Sequence, residues 1–223
     1  MQQFATTAPV QVVLDVPAGR VRLIAADRSD ATVEVLPADA GKNRDVKAAE
    51  RIQVAFEAGT LRIEAGEPKS RVLGHPGAVE VTVQLPAGSH VEATASDAEI
   101  RGVGRLGDVS LTADQGTVKL DESADTRVKV LAGDVVVGRL TGGADISTSK
   151  GDIRVAEAHR GTVTLRTEMG AVEIAAARGV AATLDAGTGS GRVSNSLRNA
   201  EGAGAPLNIH ATTGYGDITA RSL

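Results

Sequence analysis

The sequence predicts an all-β protein, a single elongated β-solenoid (β-helix) of stacked strand–turn–strand coils about 18 residues long. Three observations predict it. First, a small residue recurs two places before a β-branched anchor: Ala98 before Ile100, then Gly116, Gly133, Gly151, Gly170, Gly191 and Gly216 before Val118, Val135, Ile153, Val172, Val193 and Ile218. The anchors are spaced 18, 17, 18, 19, 21 and 25 residues apart, and such self-similarity marks a repeat architecture. Second, each column keeps its composition. Seven residues before the anchor stand Ala93, Leu111, Val128, Ile146, Leu165, Ala186 and Ala211; two after it stand Gly102, Leu120, Val137, Val155, Ile174, Asn195 and Ala220. Polar residues intervene, so a period of two runs on both sides of a turn and each unit buries one face. Third, the chain is rich in Val, Ala, Thr and Gly, which suit strands and tight turns. In a solenoid, equivalent residues of successive coils stack about 4.8 Å apart. An antiparallel β-sandwich is the alternative, though it gives no reason for constant columns.

The elements follow in order. Residues 1–88 form less regular coils and 89–223 the seven regular repeats of one domain. Val12, Leu14 and Val16 precede Gly19 and Val21 and Leu23 follow; Ile52, Val54 and Phe56 precede Gly59 and Leu61 and Ile63 follow, so both fit the coil template. Thr32–Leu36 and Val79–Leu85 alternate as further strands, and Val16-Pro17-Ala18-Gly19 and Leu85-Pro86-Ala87-Gly88 form matched turns. A short helix is expected over Arg44–Arg51 with Asn43 as its N-cap. In the repeats, the column five before the anchor (Thr148, Thr167, Thr188, Thr213) predicts an inward ladder of hydroxyls bonded along the stack.

Composition narrows the chemistry. Hydrophobic residues make up 42% of the 223-residue chain, enough for a packed core and against wholesale disorder. There is no Cys, which excludes disulfides, thiolate metal sites and a Cys nucleophile. A net charge of −4 without a basic block argues against nucleic acid as a partner. Apolar runs are too short to span a membrane, and the opening residues lack a basic segment followed by an apolar one, so a cytoplasmic protein is expected.

The repeated Gly133-Asp134-Val135, Gly151-Asp152-Ile153 and Gly216-Asp217-Ile218 turns between Thr/Val-rich strands resemble a bacterial family of β-strand-repeat proteins labelled as candidate adhesins. The likeness covers essentially the whole chain. Leu14-Asp15-Val16-Pro17-Ala18-Gly19 and the closing Tyr215–Arg221 segment are similar to actinobacterial members without a signal peptide. The resemblance implies a β-helix-like fold and brings no catalytic residues.

The turn acids are the candidates for chemistry. Asp134 and Asp152 hold one position in successive coils, and Asp217 repeats it. Two carboxylates about 5 Å apart could share a proton or hold a cation, and Lys150 and Arg154 could complete a polysaccharide-lyase-like cluster. Against this, Asp beside Gly is ordinary turn chemistry, its side chain bonding nearby main-chain N–H groups, and the same column contains Glu99, Thr117, Ala171 and Arg192. His75, His90, His159 and His210 are scattered without zinc spacing. Gly187-Thr188-Gly189-Ser190-Gly191 lacks the Lys-Ser/Thr ending of a phosphate loop and reads as a coil turn. Arg101, Lys119 and Arg154 recur on one outward column, interrupted by Val136 and Glu173.

These features predict a non-enzymatic interaction scaffold with no catalytic residue, metal or cofactor, binding a protein partner. The rival is a glycan-binding or lyase-like protein using Asp134, Asp152 and Arg154. The final coil, Ile209–Ala220, runs almost to Leu223 and leaves an open sheet edge, so a homodimer through that C-terminal edge is expected unless the insert Asn199–Pro206 folds over it.

Overall fold

The computed structural model describes residues 1–66 and 77–223. It is an all-β solenoid. In chain order the elements are β1 (Gln2–Ala5), β2 (Gln11–Ala26), β3 (Asp30–Pro37), helix α1 (Asn43–Arg51), β4 (Ile52–Glu57), β5 (Thr60–Ala65), β6 (Val79–Pro86) and β7 (His90–Arg105). The repeats follow as pairs: β8 and β9 (Val109–Gln115, Val118–Ser123), β10 and β11 (Thr126–Ala132, Val135–Leu140), β12 and β13 (Ala144–Lys150, Ile153–Ala158), and β14 and β15 (Gly161–Met169, Val172–Ala176). The last pairs are β16 and β17 (Ala182–Ser190, Val193–Ser196) and β18 and β19 (Leu207–Tyr215, Ile218–Ser222).

Apart from β1, β3 and β4, the strands stack in parallel, with register shifts only between Gly102 and Arg105 and between Val155 and Ala158. Val12 lies beside Val91, Val91 beside Val109, Val109 beside Thr126, and Thr126 beside Ala144. The alternation seen in the sequence turns Val, Leu and Ile inward; Ile100, Val118, Val135, Ile153, Val172 and Ile218 are all fully buried. The long strands β2 and β7 each bend through a whole coil, contributing to both faces of the stack.

The corner glycines have a steric reason. Gly133, Gly151, Gly170 and Gly216 have φ of 150°, 149°, 156° and 148°, and a Cβ on any of them would overlap the carbonyl of the stacked glycine in the neighbouring coil. The inward threonines use those same carbonyls. Thr148, Thr167 and Thr213 donate to the carbonyl oxygens of Gly133 (3.2 Å), Gly151 (3.0 Å) and Gly170 (2.9 Å), and Thr188 donates to Gly216 (2.9 Å). The expected ladder of hydroxyls is therefore a ladder from hydroxyl to main chain, each hydroxyl donating to the carbonyl of a half-buried corner glycine.

The order of coils departs from the order of the chain at both ends. β18 lies between β14 and β16, and β19 between β15 and β17. The last coil in sequence is thus interposed, and β16/β17 is the outermost rung. Leu207, Ile209, Ala211, Ile218 and Ala220 are all nearly or fully buried there, whereas Val193 is 45% exposed. Burial of apolar surface favours the more apolar coil where it has two neighbours. The expectation that Ile209–Ala220 leaves an open edge is corrected accordingly, and the insert Asn199–Pro206, whose folding over that edge was the alternative, instead carries the chain back from the outermost rung, with Ala182 donating to the Arg198 carbonyl (3.2 Å) and Gly161 to the Pro206 carbonyl (2.8 Å).

At the other end β5 pairs in parallel with the first half of β2 and β6 with its second half. Antiparallel strands then cover them: β4 on β5, β3 on β6, and β1 on β3. Ile52–Ile63 is therefore a hairpin and not a coil. Ala58 and Gly59 both have positive φ, 48° and 79°, the geometry of a tight reversing turn, whereas a coil corner turns the chain onto the next face. The two Pro-Ala-Gly turns also differ: Gly19 aligns with Ala98 inside a continuous strand, while Gly88 follows β6 and donates to the Arg105 carbonyl (2.8 Å). Helix α1 packs on β3 and β6; its N-cap is Lys42, and Asn43 is its first helical residue. Buried Asp45 in its first turn accepts the Ala78 N–H (3.1 Å), tying the helix to the stack.

Candidate functional site

The turn acids sit on one corner of the stack, exposed, each one residue before a buried anchor. Their carboxylates hold main-chain donors of the adjoining rung. Asp134 accepts the Asp152 N–H (2.9 Å), Asp152 accepts the Ala171 N–H (2.8 Å), and Asp217 accepts the Arg192 N–H (2.8 Å). Strand alternation directs Arg154 to the outward face, where its guanidinium meets Glu173 of the next coil (3.5 Å). Asp134 and Asp152 are thus neighbours along the stack, and Arg154 is engaged elsewhere. Lys150 is exposed beside the same corner.

A second ladder, whose acids do not stand beside the corner glycines, runs along the opposite corner. Asp108 accepts the Asp125 N–H (3.2 Å), Asp125 accepts the Gly143 N–H (2.7 Å), and His90 Nδ1 accepts the Asp108 N–H (3.1 Å). Its signal lies in the spacing: His90, Asp108, Asp125 and Gly143 all stand ten residues before an anchor. This corner borders a shallow groove of about 460 Å³ lined in part by Glu92, Ser110, Arg127 and Asp145.

The outward face carries the other charged feature. Arg22 lies beside Arg101, and Arg101 beside Lys119, so three cations occupy consecutive rungs. Arg101 is held by Asp121 (2.8 Å), Arg20 by Glu80 (2.5 Å), and a groove of about 310 Å³ runs between them. Val136 then interrupts the column before Arg154. Arg22 lies upstream of Val91, where the regular columns begin, so periodicity alone does not reveal it.

The histidines do not converge. His159 Nε2 lies 3.3 Å from Glu157, His210 Nδ1 lies 3.4 Å from Asp185, and His75 lies outside the described residues. Among the described residues no three His, Asp or Glu side chains are grouped as a metal site would need. Residues 187–190 of the glycine-rich segment continue strand β16, and the turn falls at Gly191.

A parallel β-solenoid with corner glycines and in-register turn acids defines the class, a repeat protein whose recurring chemistry is structural spacing. The chain belongs to the Toastrack DUF4097 family, whose model matches residues 12–219. No curated protein matches the chain. Among solved structures it is similar to a candidate cell adhesion protein of Clostridium sporogenes, 14% identical over 100% of this chain and 99% of that one, with a TM-score of 0.41. A candidate adhesin of Bacteroides fragilis is 10% identical over 98% and 95% of the two chains, with a TM-score of 0.48. A candidate lipid-binding protein of Parabacteroides distasonis is 12% identical over 100% and 95%, with a TM-score of 0.37.

Proposed function

We propose that the protein is a non-enzymatic interaction scaffold that binds a protein partner across its flat outward faces. The observation that supports this is the use of the turn acids: Asp134, Asp152 and Asp217 are occupied in holding one rung to the next, which makes the stack rigid and leaves the faces to present side chains at fixed spacing. Those faces carry the cationic column of Arg22, Arg101 and Lys119, in which Arg22 and Lys119 are exposed and Arg101 is half-buried beside Asp121. We include self-association at the open end of the stack within this role, and a cytoplasmic place of action, which fractionation of the host cell checks.

The test compares three proteins in quantitative cross-linked capture from the native host: the unaltered chain, D152N, and the double variant R22E/K119E. A partner retained by D152N and lost by R22E/K119E is the expected result. In parallel, the unaltered chain and D152N are incubated with acidic glycans. Turnover by the unaltered chain that disappears in D152N would overturn the scaffold reading in favour of a lyase-like one.

A further inference from the structure

The two ends of the solenoid are treated differently. At one end β4 and β3 pair antiparallel with the outermost parallel strands, helix α1 packs alongside, and the rings of Phe4 and Phe56 meet at 5.3 Å. At the other end the described residues place nothing beyond β16 and β17. Their inward residues Leu184, Ala186 and Thr188 are only half-buried, and Val193 is 45% exposed. Neither strand contains Pro, Lys or Arg, the residues that usually protect an edge. Further apolar surface lies beside it: Tyr215, 68% exposed, stands next to Ser190 of β16, and Met169, 50% exposed, stands next to Tyr215. Large apolar side chains grouped at one end mark an interaction surface.

We propose that this end binds a second copy of the chain, β16 pairing antiparallel with its own symmetry mate about Ala186. Ala186 is the midpoint of Ala182–Ser190, so this register pairs every residue of the strand. It sets Leu184 opposite Thr188 and Ala186 opposite Ala186 on the inner side, closing the end of the core. On the outer side it sets Asp185, the strand's one charge, opposite Gly187, so no like charges meet. The pairing is isologous and closes at two copies. It is also the kind of antiparallel cover that β4 and β3 give the far end. The site is separate from the cationic column: its failure removes the self-association included in the scaffold role and leaves the partner-binding reading of Arg22, Arg101 and Lys119 standing.

Mass measured by light scattering over a concentration series should rise from 22.7 kDa to twice that value. Gly187 has ordinary backbone geometry, and a Cβ placed on it would meet nothing within 4 Å, so it accepts any side chain without strain. In the proposed register G187K faces Asp185 of the partner twice per dimer and should tighten the dissociation constant by about five- to tenfold, while G187D should weaken it comparably. Both effects should shrink in high salt. A186K should leave the circular dichroism spectrum unchanged and the protein monomeric. A mass of 22.7 kDa at every concentration overturns the proposal, as does a dimer that G187K and G187D shift in the same direction or that A186K leaves intact.

Discussion

Two residues set the limits of local tolerance. Gly151 sits at a corner with φ of 149°, and its missing Cβ is the space taken by the Gly133 carbonyl. G151V adds both a backbone penalty and an overlap with main chain, neither of which a rotamer change relieves. It should cost about 3 kcal/mol or more, measured by urea denaturation. Ala58 is the opposite case. It occupies φ of 48° in the β4–β5 hairpin because the turn demands it, and no atom of the side chain offsets the strain. A58N would give the Asn-Gly pair that such turns favour and should stabilise the protein by about 0.5–1 kcal/mol in the same assay.

At the scale of elements, charge fixes register along one edge. Arg139 lies between Glu122 (3.7 Å) and Glu157 (3.2 Å) of the flanking coils, so a shift of one rung exchanges attraction for repulsion. Each pair is partly exposed and therefore weak alone. R139E would stack three carboxylates on successive rungs and should destabilise the fold by about 1–2 kcal/mol, with most of the loss recovered in high salt. Strand β1 is tied down by a different device. Arg28 and then Gln3 donate to Asp30, and these bonds hold its carboxyl below the usual carboxylate range. A carboxyl lowered in the folded state contributes stability above the usual range and loses it as pH falls through the lowered value. Protection of the Gln2–Ala5 amides, taken relative to the intrinsic exchange rate at each pH, should therefore fall on acidification before that of the central coils, and D30N should remove this pH dependence.

At the scale of the molecule, the interposed coil gives equivalent sequence positions unequal weight. Val193 and Ile218 are both anchors, but Ile218 lies between two rungs and Val193 on the last. I218A should cost about 2–5 kcal/mol and V193A less than about 1 kcal/mol, by chemical denaturation. Equal costs would contradict the order of the coils.

The periodic part of the protein was legible residue by residue. Anchors such as Val118 and Val135, the corner glycines and the inward threonines announce a coil because each obeys a local rule, either alternation or a required backbone angle. The turn acids were legible in position but not in their bonds: a local Asx turn was expected, whereas Asp134, Asp152 and Asp217 accept main-chain N–H groups of the adjoining rung, 18, 19 and 25 residues away in sequence. The order of the last two coils was not legible. Both coils fit the same template. The choice rests on which interior gains more from two neighbours, a comparison between Ile209, Ala211 and Ala220 on one coil and Ala186, Thr188 and Asn195 on the other. The Ile52–Ile63 hairpin likewise shares the coil's apolar pattern, and only the sign of φ at Ala58 separates a reversal from a corner. Sequence by itself determined the coil, its period and its inner face, because these depend on neighbours in the chain. Tertiary structure alone decided which coil ends the stack, because that depends on burial shared among rungs distant in sequence.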